Sequence, residues 1–318
     1  MERTMQRHAL VLGPVLAFSA AFVPTLTGCD LTRFTANSSA GLFTRAGGAV
    51  ERHWDTDLVG AGLPASIMQL EGIYSVVPDN EPLGLQLARA YSSYAFGWVE
   101  ERIEIADAEG DLEEADALAS RARLLYERAR NIGLHHLRAR NAGIDDALSG
   151  PPADLSGFLA RTYTDRDAAP ALFWTGYAWA SSINVGIRTD STMVLQLSKA
   201  QAFVDRAVAL DESYFHYAGL VFQGVLASTF AEDMGGHPEE GRALFERALA
   251  GTERHFYTVH VNYARTYAVN TGNRALFISL LREVIDGGDP DESVRLANRI
   301  ARRRAIRLLS RIDELFSN

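Results

Sequence analysis

Three stretches of the chain repeat one short pattern: Leu125-Tyr126-Glu127-Arg128-Ala129, Val204-Asp205-Arg206-Ala207-Val208 and Phe245-Glu246-Arg247-Ala248-Leu249. Each runs through an apolar residue, an acid, an arginine and an alanine. The alanines fall 78 and 41 residues apart. Small residues at such places let two antiparallel helices approach closely, and the bulky neighbours plug the gap between them. Ala209-Leu210-Asp211-Glu212-Ser213-Tyr214 closes one unit much as tetratricopeptide units close, at a spacing longer than the regular repeat of about 34 residues. The pattern predicts an all-α fold of stacked antiparallel helical hairpins, a degenerate tetratricopeptide-like superhelix. An irregular helical bundle is the other reading of the same periodicity.

The punctuation around these stretches agrees. Ile67, Leu70, Ile73, Tyr74 and Val77 share a face in a segment opened by Pro64, and Val77-Pro78-Asp79-Asn80 stops it, because a residue before proline is pushed out of the helical region. Leu83, Leu87, Ala90, Tyr91, Tyr94, Ala95 and Trp98 form the next stripe. Asp111 with Glu114 reads as a capping box ahead of Leu118, Ala122, Leu125, Tyr126, Ala129 and Ile132. Pro238-Glu239-Glu240 and Pro290-Asp291-Glu292 place proline and acids where a helix begins. Val294, Ala297, Ala301, Ala305, Leu308, Ile312 and Leu315 make the last stripe, with Arg299, Arg302, Arg303, Arg307 and Arg311 mostly off it. No run of strict alternation bounded by hairpin turns points to a sheet.

Residues 1–28 read differently. Arg3 and Arg7 precede an apolar stretch, Ala9 to Pro24, which is shorter than the roughly 20 residues of a spanning helix, and Leu26-Thr27-Gly28-Cys29 follows. This resembles a bacterial lipobox, in which the cysteine receives a diacylglyceryl group before cleavage. Cys29 is the chain's single cysteine, so an internal disulfide and a cysteine-based zinc site are excluded. We expect 1–28 to be a lipoprotein signal peptide, 29–60 the lipidated Cys29 with a tether or lead-in, and 61–318 the helical domain. Localisation is expected on the periplasmic side of a bacterial membrane, inner or outer, held by the lipid on Cys29.

Charge and motif content exclude several functions. The 318 residues carry 31 Lys and Arg against 40 Asp and Glu, a formal net charge of −9, which argues against a nucleic-acid partner. Lys199 is the only lysine and no Gly-x-x-x-x-Gly-Lys occurs, so a phosphate-binding loop is absent. His135-His136 and the pair His255 and His260 do not share helix faces in the way a metal pair needs; no metal and no cofactor is expected. Glu100, Glu101 and Glu104 read as a solvated helix face, and the C-terminal arginines as a solvated face making local ion pairs or a docking surface. No Gly-x-Ser-x-Gly elbow is present. The chain is expected not to be an enzyme.

One constellation points to binding. Phe173, Trp174, Tyr177 and Trp179 crowd into seven residues. A helix aromatic on nearly every side is either buried throughout or lines a cavity. The cleft reading takes Trp174, Tyr177, Trp179 and Asn184 as one wall, faced by Asn262 and Tyr263, since apolar walls with few polar groups suit a small molecule.

Longer phrases carry a family resemblance. They are Ala171 to Ala180, Tyr217 to Gly224, Met234-Gly235-Gly236-His237-Pro238-Glu239-Glu240, Tyr263 to Phe277, Leu296-Ala297-Asn298-Arg299 and Asp313-Glu314-Leu315-Phe316. In this order, behind a lipobox, the chain from about residue 60 onward resembles the TatT family, the T component associated with tripartite ATP-independent periplasmic (TRAP) transporters. Asp211-Glu212 stands where the family usually has Asp-Pro, which leaves the helix stop intact. The resemblance implies a non-enzymatic, lipid-anchored, tetratricopeptide-like protein. Its partner would be a periplasmic solute-binding protein (the P component), which delivers an organic acid or similar ligand to a permease. The alternative is a tetratricopeptide-like lipoprotein that scaffolds cell-envelope or outer-membrane assembly. Self-association as a homo-oligomer is left open by both.

The anchor reading has a direct test. Cys29→Ala is expected to abolish metabolic labelling with a fatty acid and to block cleavage by the lipoprotein peptidase. A variant that still carries lipid refutes the lipobox.

Overall fold

A computed structural model describes residues 31–229 and 236–316; residues 1–28, read above as a signal peptide, Cys29 and Met234-Gly235 lie outside the described residues. Among the described residues every regular element is helical. The first half comprises α1 (Leu31–Glu51), α2 (Thr56–Val76), α3 (Glu81–Tyr94), α4 (Glu100–Glu109), α5 (Leu112–Arg140), α6 (Ile144–Ser149), α7 (Pro152–Thr162) and α8 (Ala169–Gly186). The second half comprises α9 (Leu197–Leu210), α10 (Tyr214–Ser228), α11 (Pro238–Gly251), α12 (Thr258–Tyr263), α13 (Arg274–Asp286), α14 (Arg295–Ser310) and the short α15 (Ile312–Leu315).

Local chemistry sets most of the boundaries. Asn80 caps α3 by accepting from the Leu83 amide, Asp111 caps α5 by accepting from Glu114, and Asn273 caps α13 by accepting from Leu276. Each bond satisfies one of the amides a helix start leaves unpaired. Gly110 ends α4 in the left-handed region, φ 80°, which its lack of a Cβ permits. The start of α2 differs from the reading that opened it at Pro64. Asp55 accepts from the amides of Asp57 and Leu58, so the helix begins at Thr56 and Pro64 lies inside it. The segment read as a tether or lead-in carries α1, whose Ala40 is buried and whose Ala36 and Phe43 pack against the core.

The helices stack in antiparallel pairs. Helix α5 packs on α3 and α8, α8 on α9, α10 on α11, and α13 on α14. The repeated fragments lie at these contacts: Tyr126, Ala129, Val204, Ala207, Phe245 and Ala248 are all buried. Gly176 marks the closest approach. A Cβ there would stand 2.7 Å from the Ala200 carbonyl oxygen and 2.7 Å from a Val204 methyl, so only hydrogen lets α8 lie so near α9.

Two further features place the candidate site. The helix run from α3 into α4 passes through a π-helical turn, Ala95–Val99, and α12 passes into a second one, Ala264–Ala268. The C-terminal helix α14 also returns to touch α1 and α2, closing the stack on itself.

Gly176→Val is expected to overpack the α8–α9 contact at a cost of about 1–3 kcal/mol, read as a lower denaturant midpoint at unchanged m-value. A neutral result would mean that the two helices are not in contact at this level.

Candidate functional site

The acidic face of α4 and the arginine face of α14 meet each other. Both were read as solvated, and both are instead spent on one another, roughly two hundred residues apart in the chain. Arg303 grips Glu101 with two bonds, Nη2 to Oε2 at 2.9 Å and Nε to Oε1 at 3.2 Å, and reaches Asp57 at 2.9 Å. Arg307 donates to Glu101 and, at 3.0 Å, to Glu104. Arg304 is 2% exposed, with its Nε 2.9 Å from Glu104 Oε1 and its Nη2 3.8 Å from Glu100 Oε2. Its guanidinium lies 4.3 Å from the centre of the Phe96 ring, and Nη2 donates to the Phe96 carbonyl at 3.2 Å. Phe96 sits in the first π turn. That turn re-aims the helix just before Glu100, and such turns recur at functional sites.

Behind this seam lies a buried polar cluster. Tyr126 of α5 donates to Glu100 Oε1 at 2.5 Å. Tyr177 of α8 packs edge-on against Tyr126, 6.4 Å between ring centres. Arg265, in the second π turn, adds its charge to the same group. Tyr177 and Arg265 are half-buried, and Tyr177 packs against the apolar clusters on both sides of it.

The electrostatics follow from burial. Burial pushes the Glu100 carboxyl up, against the pull of Arg304 and the Tyr126 bond. Burial also acts to raise Glu104, but Arg304 and Arg307 outweigh it and the net displacement is downward. Burial pushes Tyr177 up to about 12 and Tyr126 well above its ordinary value, with Glu100 adding to the rise. Burial, then Arg304, lowers Arg265. Arg304 itself is raised, because Glu104 and Glu100 overcome its burial.

The aromatic residues expected to form a cleft divide among several places. Trp174 is 3% exposed and its Nε1 donates to the Tyr214 hydroxyl at 2.9 Å. Its ring meets Tyr177 at 5.8 Å and Phe215 at 4.9 Å. Trp179 points elsewhere, toward Phe203, and donates to Gln196 at 3.0 Å. Asn184 is exposed near the end of α8. Asn262 donates to the Thr258 carbonyl of its own helix at 2.8 Å. Tyr263 is buried in the C-terminal core, stacked on Phe245 at 4.9 Å, with its hydroxyl donating to Glu246 at 3.0 Å. Of the six, Trp174 and Tyr177 come together, and Tyr177 also meets Tyr126 behind the seam.

Sequence reasoning missed a strained turn beside them. Phe215, His216 and Tyr217 have φ of 49°, 57° and 60°, a left-handed turn that costs about 1–2 kcal/mol for each L-residue. The Phe215 ring is held by Trp174, by Phe256 at 6.4 Å and by the Arg89 guanidinium at 4.6 Å. Aromatic pairs return about 0.5–1.5 kcal/mol each, enough to offset much of that strain. A cavity of about 500 Å³ opens beside the turn, lined by Ser213, His216, His255 and Asp291 among others. Among the described residues no group of three His, Cys, Asp or Glu could hold a metal, and no helix is long and apolar enough to cross a membrane.

The fold is a stack of packed helices joined by a seam of buried arginine, glutamate and tyrosine. The chain belongs to the TRAP transporter T-component family (TAtT), whose model matches residues 52–316. This is a family of transporter accessory proteins, not an enzyme family. No curated protein matches the chain.

Arg304→Met is expected to destabilise the fold by about 3–5 kcal/mol, the cost of leaving buried acids without their partner. Adding Glu100→Gln should recover part of that loss in thermal denaturation. Equal stability of Arg304→Met and the parent would remove Arg304 from the seam.

Proposed function

We propose that this protein is the lipid-anchored periplasmic accessory component of a TRAP-type solute uptake system. It binds the system's solute-binding protein and a small ligand. The observation that carries this reading is the family match over residues 52–316. Two features support it. Stacked helical hairpins offer an extended surface suited to a protein partner. The cavity of about 500 Å³ beside the Phe215 turn, lined by Ser213, His216, His255 and Asp291 among others, has room for a small ligand. The lipid on Cys29 would hold the domain at the membrane, and a diacylglyceryl group with an amide-linked chain suffices for stable anchoring at about 0.8 kcal/mol per buried methylene.

The test is binding between the purified mature protein and a TRAP solute-binding protein from the same genome, by biolayer interferometry at physiological salt. Saturable binding is expected, with none to an unrelated periplasmic binding protein. Absence of binding to the solute-binding protein, together with saturable binding to a defined outer-membrane assembly factor, would replace this reading with the envelope-scaffold alternative.

A further inference from the structure

Helix α1 turns large apolar side chains outward. At about 3.6 residues per turn, Leu31, Phe34, Leu42 and Arg45 fall within about 80° of arc, and Ala40 falls opposite Leu31. The inner side seats the helix. Ala40 is buried there, with Ala36 and Phe43 packed against the core. Gly47 lies so near α3 that a Cβ would stand 2.7 Å from Gln86 Nε2, and Asn37 accepts from the Asn80 side-chain amide at 2.8 Å. The outer side faces water: Leu31 is 74% exposed, and Phe34 and Leu42 are each 68% exposed. Leu31 also lines a groove of about 780 Å³ against Ile73 and Val76 of α2, so apolar surface continues round the start of the helix. Single exposed apolar side chains are ordinary on a soluble protein, whereas a group of them marks a surface that meets an apolar partner.

Charge and chain position say which partner. From Leu31 to Val50 the helix carries Arg33 and Arg45 and no acid, in a chain whose formal net charge is −9. Arg45 is exposed on the apolar arc, and Arg33 lies 3.5 Å from Asp79. Cys29 stands two residues before Leu31, and two residues of extended chain span only about 7 Å. A lipid on Cys29 therefore brings the start of α1 to the membrane surface.

We propose that α1 lies flat on an anionic lipid bilayer, with Leu31, Phe34 and Leu42 in the interfacial layer and Arg45 among the lipid phosphates. This rests on the reading of Cys29 as lipidated. A helix lying in the interface gains from its buried apolar area and from the attraction of its basic residues to anionic lipids. The acidic remainder of the chain is repelled by the same surface, so charge selects the α1 side. Because α1 is packed on α2 and α3, its docking orients the domain, where a lipid tether alone would let it swing.

The test separates a lying helix from a standing one. Leu42 is eight residues beyond Phe34, about 12 Å along the axis. An upright helix carries Leu42 clear of the lipids, and a flat one holds it at the depth of Phe34. The lipidated mature protein is placed in vesicles of phosphatidylglycerol and phosphatidylcholine. Cys29 is the only native cysteine and its sulfur carries the lipid, so Phe34→Cys, Leu42→Cys and Leu195→Cys each take one thiol-reactive fluorophore. Leu195, 79% exposed in the turn before α9, is the reference. We expect spin-labelled lipids to quench Phe34→Cys and Leu42→Cys alike and to leave Leu195→Cys unquenched. Adding Arg45→Gln to Leu42→Cys should lower the ratio of docked to free helix about fivefold, and an unchanged ratio would overturn the role of Arg45. Quenching at Phe34→Cys alone means an upright helix and overturns flat docking, as does equal quenching at all three positions. Labels shielded from water but untouched by the lipid quencher would assign the face to a second copy or another protein, which also overturns it. If mass spectrometry finds no lipid on Cys29, the anchor reading fails, and the same labels on the Cys29→Ser chain decide the face by themselves. Quenching at both α1 positions then keeps it as a bilayer site, and quenching at neither removes it.

Discussion

The burial of Arg304 is the constraint on which the architecture depends. A guanidinium removed from water is tolerated only when counter-charges and hydrogen-bond acceptors surround it. Those groups come from α4, which lies at the other end of the chain from α14. Satisfying Arg304 therefore requires that the stack of hairpins curve until its last long helix meets its second pair. Arg303 and Arg307 flank it on the same helix and use acids of the same α4 face, so three arginines within about one helical turn converge on one seam. An apolar seam of equal area would bind at least as strongly. A seam of fixed guanidinium forks and carboxylates instead accepts one register of α14 against α4 and penalises the others, because a shifted helix leaves charges buried alone.

Strain gathers at the edge of this seam. Each π turn widens one turn of helix and rotates the residues that follow it. The first aims Glu100 and Phe96 inward, and the second carries Arg265 to the same place. The left-handed turn at Phe215 to Tyr217 adjoins Trp174, whose neighbour on α8 is Tyr177. Irregular backbone also occurs away from the seam, at Glu253 and Arg254 with φ of 50° and 62°. The peripheral pairs, such as α13 with its Asn273 cap, are ordinary helices.

Helix positions were legible in the sequence because their causes are local. Asn80, Asp111 and Pro238 act on amides within one turn of themselves, and the apolar spacings of α3 and α5 report a buried face directly. The start of α2 was misplaced for a related reason: Pro64 is a strong signal, but the Asp55 side chain captures two amides earlier in the chain, and that second signal is weaker in sequence than in structure. The seam was not legible. Glu100, Glu101, Glu104, Arg303 and Arg307 were each visible as charged helix faces, and a charged face ordinarily faces water. Only the closure of the stack brings them together, and nothing within either segment encodes that encounter. The aromatic group on α8 was visible as a group, but its members radiate around the helix. Their destinations, Tyr214 for Trp174, Gln196 for Trp179 and Tyr126 for Tyr177, depend on which helix lies on each side.

The protonation states of the buried cluster follow from its composition. Its cations are arginines, which keep their charge at any physiological pH. Its phenols are pushed upward, Tyr177 to about 12, so they act as neutral hydrogen-bond donors. Glu104 is held in its charged form by Arg304 and Arg307 despite its burial. The nearest buried imidazole with a large displacement, His136, lies in a different contact, bonded to Tyr74 at 3.1 Å, and burial lowers it to about 4, which leaves it neutral at physiological pH. A general base or nucleophile poised near neutrality needs a group whose charge is balanced between two states at working pH. Burial raises the Glu100 carboxyl, and one of its oxygens is committed to a tyrosine. The charges of this cluster are thus paired with one another across α4 and α14, and they fix how the two ends of the stack meet.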